Sequence, residues 1–161
     1  MVAIELKLLL LLVVANGAPI LARHLFNDHF NWPLDGGHVT ASGRYLLGPS
    51  KTIRGLIASL VITAMVAQLI GIGWPLGMMI AAFAMLGDLC ASFIKRRIDL
   101  PPSSQAVGLD QIPESLIPLI PCAVVFDLHW WSVLYLVLAF WVVVVLLSRL
   151  LYLLGVRRRP Y

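Results

Sequence analysis

The fold class this sequence predicts is an all-α integral membrane protein, a bundle of about five transmembrane helices with two long cytoplasmic loops. Three observations carry that reading. Of 161 residues, 60% are hydrophobic and 12% charged, at a mean hydropathy of +0.92, more apolar surface than a soluble domain of this length can hide. The apolar residues fall into five runs separated by polar connections, and the cations concentrate in alternate connections. Residues 1–161 are read as a single polytopic domain.

Each run is measured against the ~20 residues that cross a ~30 Å hydrocarbon core. The first extends from about Val2 to Leu21. Glu5 and Lys7 form no basic n-region, and no small-x-small cleavage site follows Asn16 to Pro19, so it is expected to stay as a retained helix. The second run covers about Ile53 to Ile72 and the third Trp74 to about Lys95. The fourth, about Ile112 to Phe126, is shorter and holds Pro113, Pro118 and Pro121. Proline within a span is tolerated where neighbours re-satisfy the freed backbone, which predicts a kinked helix buried in the bundle and lining the site. The fifth run is Trp130 to about Leu154.

Loop charges set the expected orientation. Arg23, Arg44, Lys51 and Arg54 follow the first helix, Lys95, Arg96 and Arg97 end the third, and Arg157, Arg158 and Arg159 form the tail. The connections near Gly71 to Gly73 and Asp127 to His129 carry no Lys or Arg. Positive-inside bias therefore puts both long loops and the C-terminus in the cytoplasm and the N-terminus outside, across the cell (inner) membrane. The same distribution accounts for the net charge of +4 and pI near 9.4 without nucleic acid, for which no aromatic-basic patch is present.

One segment concentrates chemistry. Gly87-Asp88-Leu89-Cys90-Ala91-Ser92-Phe93-Ile94-Lys95-Arg96-Arg97 puts an acid, a hydroxyl and three cations at the end of an apolar run, where each ionisable residue costs about 2.5–3.5 kcal/mol at a helix centre. At about 100° per residue, Asp88, Ser92, Lys95, Arg96 and Asp99 share one sector of a helix and Arg97 points away. That face can offer metal, hydroxyl and phosphate contacts together, and Arg97 reads as a headgroup anchor.

Two further segments complete the candidate site. The first loop carries Gly48-Pro49-Ser50-Lys51-Thr52-Ile53-Arg54-Gly55, where glycines beside Ser, Lys and Thr suit phosphates and Thr52 or Ser50 can cap the second helix. Its plainer reading is a capped helix start with positive-inside anchors, and it lacks P-loop spacing. The third loop ends at Asp110, so Asp88 and Asp110 flank one basic loop. Two aspartates facing a nucleotide suit Mg²⁺, which binds through one or two carboxylates plus substrate phosphates, although Asp110 can equally be a plain N-cap.

The order Ser50-Lys51-Thr52-x-x-Gly55, then Gly87-Asp88-x3-Ser92-x2-Lys95-Arg96, then Leu109-Asp110-Gln111 resembles the membrane CTP:lipid-phosphate cytidylyltransferases, and most closely the CDP-archaeol synthase family. The Asn16-x2-Pro19 element, the Pro33-Leu34-Asp35 loop and Tyr152-x2-Gly155 extend the likeness over nearly the whole chain. Ser103 after Pro102, where the family tends to have glycine, and Gly36-Gly37 after Asp35, where an aromatic is common, depart from it. The resemblance implies transfer of CMP from CTP to a lipid phosphate at the bilayer, giving a CDP-lipid and pyrophosphate with Mg²⁺ as cofactor. Asp88, Lys95, Arg96 and Asp110 become the candidate catalytic residues, Asp88 and Asp110 also the metal ligands, and Ser50, Lys51, Thr52 and Ser92 the substrate-binding set.

The remaining features are read as structural. His24, His29, His38 and His129 lack i, i+4 pairing with acids, which argues against zinc. Trp32, Trp74, Trp130 and Trp131 sit at segment ends as an aromatic belt, Cys90 and Cys122 read as small core residues, and Gln68 as a bond between helices. The Arg157-Arg158-Arg159 tail reads as a membrane anchor. A small transporter or channel with a cytoplasmic-side ionisable site is the competing class, opposed by the clustering of charge at one end and by the lack of an inverted repeat. A non-catalytic scaffold would leave the Asp88, Asp110 and Lys51 arrangement unexplained. Oligomeric state is not encoded in any of these features.

Overall fold

A computed structural model describes every residue except Met1, Asp28, Ser42, Pro102, Ser103, Gln105, Val107 and residues 156–161, so the expectations for Ser103 and for Arg157, Arg158 and Arg159 fall outside the described residues. Among the described residues five helices form: α1 Val2–Phe26, α2 Ile53–Leu69, α3 Trp74–Arg97, α4 Gln111–Val125 and α5 Trp130–Leu153. Three of them, α1, α3 and α5, are long and apolar enough to cross a membrane. At 1.5 Å per residue the 17 residues of α2 and 15 of α4 reach only about 25 and about 22 Å.

The helices pack around α3, which touches α1, α2 and α4, while α5 closes the bundle against α4 and α1. Among the described residues no Cα of α5 comes within 8 Å of α2 or α3. That opening shapes the cavity described below.

Small residues bring α2 against its neighbours. Gly55, Ser59, Thr63 and Ala67 recur every fourth residue on its buried face, the spacing that lets backbones approach where no hydrophobic force drives helices together. At the crossing with α3, a Cβ added at Gly77 would lie 2.5 Å from the Ala67 Cβ and 2.9 Å from the Thr63 carbonyl oxygen. Against α1 the contact is polar as well. Pro19 inside α1 has no N–H to give to Ala15, four residues back, and Ser59 Oγ donates to that carbonyl at 2.8 Å.

A tight turn joins α2 to α3, with Gly71 at φ 77° and Gly73 at φ 93°, and Gln68 Oε1 accepts from the Trp74 amide at 3.1 Å. The expected interhelical role of Gln68 is thus local, joining the end of one helix to the start of the next. Pro118 and Pro121 lie inside α4, which stays helical through Val125.

The two ends of the bundle differ in character. Leu8, Leu11, Ile80, Leu119, Val133, Leu136 and Phe140 form a dry core at the end holding the start of α1. Because the helices alternate in direction, the opposite end gathers the C-termini of α1, α3 and α5 and the N-termini of α2 and α4. The cations at the end of α3 and the described residues of the first loop are carried there. Trp74, Trp130 and Trp131 are exposed at helix starts on the dry side, and Trp32 is exposed in the first loop.

Candidate active site

The first loop is tied down at several points before it delivers a side chain to the bundle. Leu34 N donates to Lys51 O at 2.7 Å and Ile53 N to Trp32 O at 3.0 Å, so residues 32–34 and 51–53 run antiparallel. Thr52 is the N-cap of α2, its hydroxyl accepting from Gly55 N at 3.2 Å, as the sequence predicts. Arg54 donates to the carbonyls of Asn27 and His29. Lys51 is thereby aimed inward, and its Nζ meets Asp88 Oδ2 at 2.5 Å. Burial opposes the charge on Lys51, but the adjoining Asp88 carboxylate, aided by Glu114 and Asp110, outweighs it and holds the ammonium above its ordinary pKa.

Asp88 faces α4 because of its neighbour. A Cβ at Gly87 would sit 2.2 Å from the Pro113 carbonyl oxygen, so α3 and α4 are in backbone contact at that point. The carboxyl of Glu114, one residue further along α4, therefore lies against Asp88. Ser92, one turn on, is buried, and so are Lys95 and Arg96, at 7% and 4% exposure.

Lys95 Nζ pairs with Asp110 Oδ1 at 2.6 Å and donates to Ser104 O at 3.0 Å. Asp110 Oδ2 accepts from Ala106 N at 3.0 Å. Although Asp110 occupies the N-cap position of α4, its side chain makes no capping bond; Gln111 Oε1 accepts from Gly108 N instead. The plain capping role is therefore not the one Asp110 plays. Among the described residues Arg96 donates one bond, to Pro101 O at 3.0 Å, and its buried Nε and Nη1 find no partner. Unpaired donors of a buried guanidinium carry a desolvation cost of about 1–3 kcal/mol, more where the group is charged, and a bound anion would offset it.

All eight site residues expected from the sequence, Ser50, Lys51, Thr52, Asp88, Ser92, Lys95, Arg96 and Asp110, line one cavity of about 860 Å³. Asp99 does not. The shared helix face assumed for it ends at Arg97, Asp99 adopts φ 60°, and its carboxylate pairs with Arg44 Nη2 at 2.6 Å on the surface. Arg97 points away, its guanidinium 4.8 Å from the Phe93 ring centroid and its carbonyl accepting from Arg44. Glu114 was not among the expected residues. Its signal was the spacing to Asp110, one helical turn, which puts both acids on one face of α4. Asn16 of α1 and Ser148 of α5 also line the cavity, whose wall on the α5 side is apolar through Val144, Val145 and Leu151.

Asp88, Glu114 and Asp110 supply hard oxygen donors, the chemistry Mg²⁺ takes. Among the described residues no three His, Cys, Asp or Glu side chains converge as a ready-made metal cage. The histidines form no metal cluster among the described residues either, and His24 lines the cavity.

These features define a multi-pass helical membrane protein with a cation-rich, carboxylate-bearing cavity at one end. The sequence model described as CarS-like, CDP-archaeol synthase, matches residues 70–161, more than half of the chain, and the chain belongs to that family. It is 38% identical over 109 residues to the CDP-archaeol synthase of Thermococcus onnurineus, covering 61% of each chain, and 38% over 104 residues to that of Pyrobaculum arsenaticum, covering 62% of each. The chain thus spans about three fifths of the length of the curated relatives it matches. A solved structure described as an intramembrane enzyme for archaeal membrane lipids biosynthesis superposes with a TM-score of 0.73 at 27% identity, covering 85% of this chain and 87% of the other.

Proposed function

We propose that this protein is a CTP-dependent cytidylyltransferase that converts a membrane lipid phosphate into a CDP-lipid with release of pyrophosphate. The observation that carries the reading is Arg96, buried with two N–H groups that find no partner among the described residues, beside Lys51, Lys95 and three carboxylates in one cavity. A triphosphate supplies the anion that this constellation lacks. Membership of the CDP-archaeol synthase family supports the same reaction and favours an ether-linked isoprenoid phosphate as acceptor. The fold is read as one polytopic domain with five crossings, the short α2 and α4 included, and with the cavity on the cytoplasmic side where CTP is found.

The chemistry is in-line displacement. An oxygen of the lipid phosphate attacks the α-phosphorus of CTP, the bond from that phosphorus to the bridging oxygen of the β-phosphate breaks, and pyrophosphate leaves with the electron pair. A phosphate monoester with a second pKa near 6 is largely dianionic at neutral pH and needs no histidine base. The protein's work is alignment and charge neutralisation. Lys51, held by Thr52 and the antiparallel pair, and Lys95 and Arg96 on α3 are placed to bind the phosphate oxygens, with Ser50 and Ser92 positioning them. Asp88 and Asp110, with Glu114 beside Asp88, would hold Mg²⁺. When bound, the ion neutralises charge on the α-phosphate and the departing pyrophosphate. With the ion held there, Lys51 would be free to turn from Asp88 toward phosphate, while Lys95, still tied to Asp110 and Ser104, would reach phosphate with its remaining N–H.

The test is cytidine-labelled CTP supplied to the protein in lipid vesicles with Mg²⁺ and either diacyl or diether glycerol phosphate. Label is expected in an organic-extractable product whose mass is that of a CDP-lipid. Absence of that product with both acceptors would overturn the reading.

A further inference from the structure

Asp35 lies outside the cavity and belongs to no group of the reaction described above. Its carboxylate nevertheless gathers three backbone amides: Oδ1 accepts from Gly37 N at 3.0 Å, and Oδ2 accepts from Leu47 N at 2.9 Å and Gly48 N at 3.3 Å. Residues 36–47 leave and return as a hairpin with a bridge between Val39 and Tyr45, so Asp35 closes the hairpin at its base. The next bond along the chain is Lys51 N to Gly48 O at 3.2 Å. Gly48 itself is buried at φ 101°, a backbone conformation a side chain would strain. A continuous path therefore runs from the Asp35 carboxylate through the Gly48 peptide to the Lys51 backbone, and from the Lys51 ammonium to Asp88.

We infer that Asp35 is a positioning residue for Lys51: by fixing the Leu47 and Gly48 amides it sets the path of the loop that carries Lys51 into the cavity. The alternative is a surface turn whose loss is felt nowhere else. Geometry favours the first, because two of the three amides are on the Lys51 side of the hairpin, 12 and 13 residues away in sequence, whereas a local turn needs only the Gly37 bond. As a site for Lys51 within a CTP-binding cavity the inference rests on the proposed function, but its test does not.

Lys7, Lys51 and Lys95 are the three lysines of the chain, so amine acetylation read by peptide mass spectrometry reports each one separately. Detergent-solubilised protein is treated at pH 8 with an N-hydroxysuccinimide acetate. Asp35→Asn keeps the shape of the side chain and removes the charge and one acceptor. It is expected to raise the Lys51 acetylation rate relative to Lys7 by roughly tenfold, the scale of losing charge-assisted bonds, with Lys95 changed less than about twofold. Asp88→Asn combined with Glu114→Gln, which removes both carboxyls beside Lys51, marks the fully released rate. Unchanged Lys51 protection in folded Asp35→Asn overturns the inference, and so does equal release of Lys51 and Lys95, the mark of general loosening. Asp35→Ser carries the same expectation, and failure of both variants to accumulate in the membrane overturns it too, because a clasp confined to the loop leaves the bundle intact. A wild-type protein that transfers no cytidylyl group would remove the proposed activity and leave the acetylation result standing.

Discussion

Lys51–Asp88 and Lys95–Asp110 pair the same residue types at 2.5 and 2.6 Å in one cavity, yet they are supported differently. The second pair is saturated by backbone: Lys95 also holds Ser104 O, and Asp110 also holds Ala106 N, so the pair folds the loop before α4 as much as it neutralises charge. The first pair has a second carboxyl, Glu114, against it and, among the described residues, no backbone bond to its charged groups. One pair is built to stay closed and the other to exchange partners. A charge balanced by another charge, with a spare carboxyl alongside, can be re-paired when an anion and a cation enter together.

The largest effect expected from this contrast is at Asp88. Asp88→Asn should lower cytidylyl transfer by about a thousandfold or more while leaving thermal stability little changed, because Lys51 can re-pair with Glu114. Turnover in vesicles together with the unfolding midpoint in detergent checks it, and near wild-type turnover at saturating Mg²⁺ would strip Asp88 of its role. Asp110→Asn should also lose activity, but with a drop in stability of roughly 3 kcal/mol, since it leaves a buried Lys95 with only a carbonyl. Equal midpoints for the two variants would erase the distinction between the pairs.

The adjacent arginines sharpen the same contrast between open and closed partners. Arg96→Ala should cut transfer by about a hundredfold and weaken CTP binding, since it deletes the unpaired donors in the cavity. Arg97, stacked on Phe93 outside it, should cost less than about threefold when changed to Ala. Kinetics on correctly inserted protein would refute the ordering if Arg97→Ala were the more damaging.

The smallest effect is at Asp35 and appears in pH. Burial alone would raise its pKa, but the amides of Leu47, Gly37 and Gly48 more than compensate, leaving it below the ordinary carboxylate value. A depressed carboxylate stabilises above its unfolded pKa, about 3.9, and loses that contribution as pH falls through the folded value. The gap between the midpoints of wild type and Asp35→Asn should therefore hold constant from about pH 7 to about pH 5 and close under more acid conditions. A gap independent of pH down to acid unfolding would mean the carboxylate charge is not what holds the loop.

Much of this was legible in the sequence because apolar runs mark helices that solvent cannot contain. The starts of α2, α3 and α5 fall on the expected residues, and α1 runs past Leu21 to Phe26 because nothing in Ala22-Arg23-His24-Leu25 breaks a helix. The eight expected site residues converge because alternating helices must bring their charged ends to one side. Asp99 was misplaced by extending helical periodicity beyond the point where α3 stops, which periodicity itself cannot reveal. The Asp35 clasp and the Arg44–Asp99 pair join residues 12 to 55 positions apart through loops with no periodic pattern, and only the fold brings them together.

Pro19 has a consequence for how the chain enters the bilayer. A helix bearing it arrives in hydrocarbon with the Ala15 carbonyl stripped of its hydrogen bond, and the hydroxyl that answers that carbonyl belongs to Ser59, more than thirty residues later in synthesis. The first span is therefore an unfinished object on its own. It is completed when α2 packs beside it, so α1 is expected to be more stable in a bilayer together with α2 than alone.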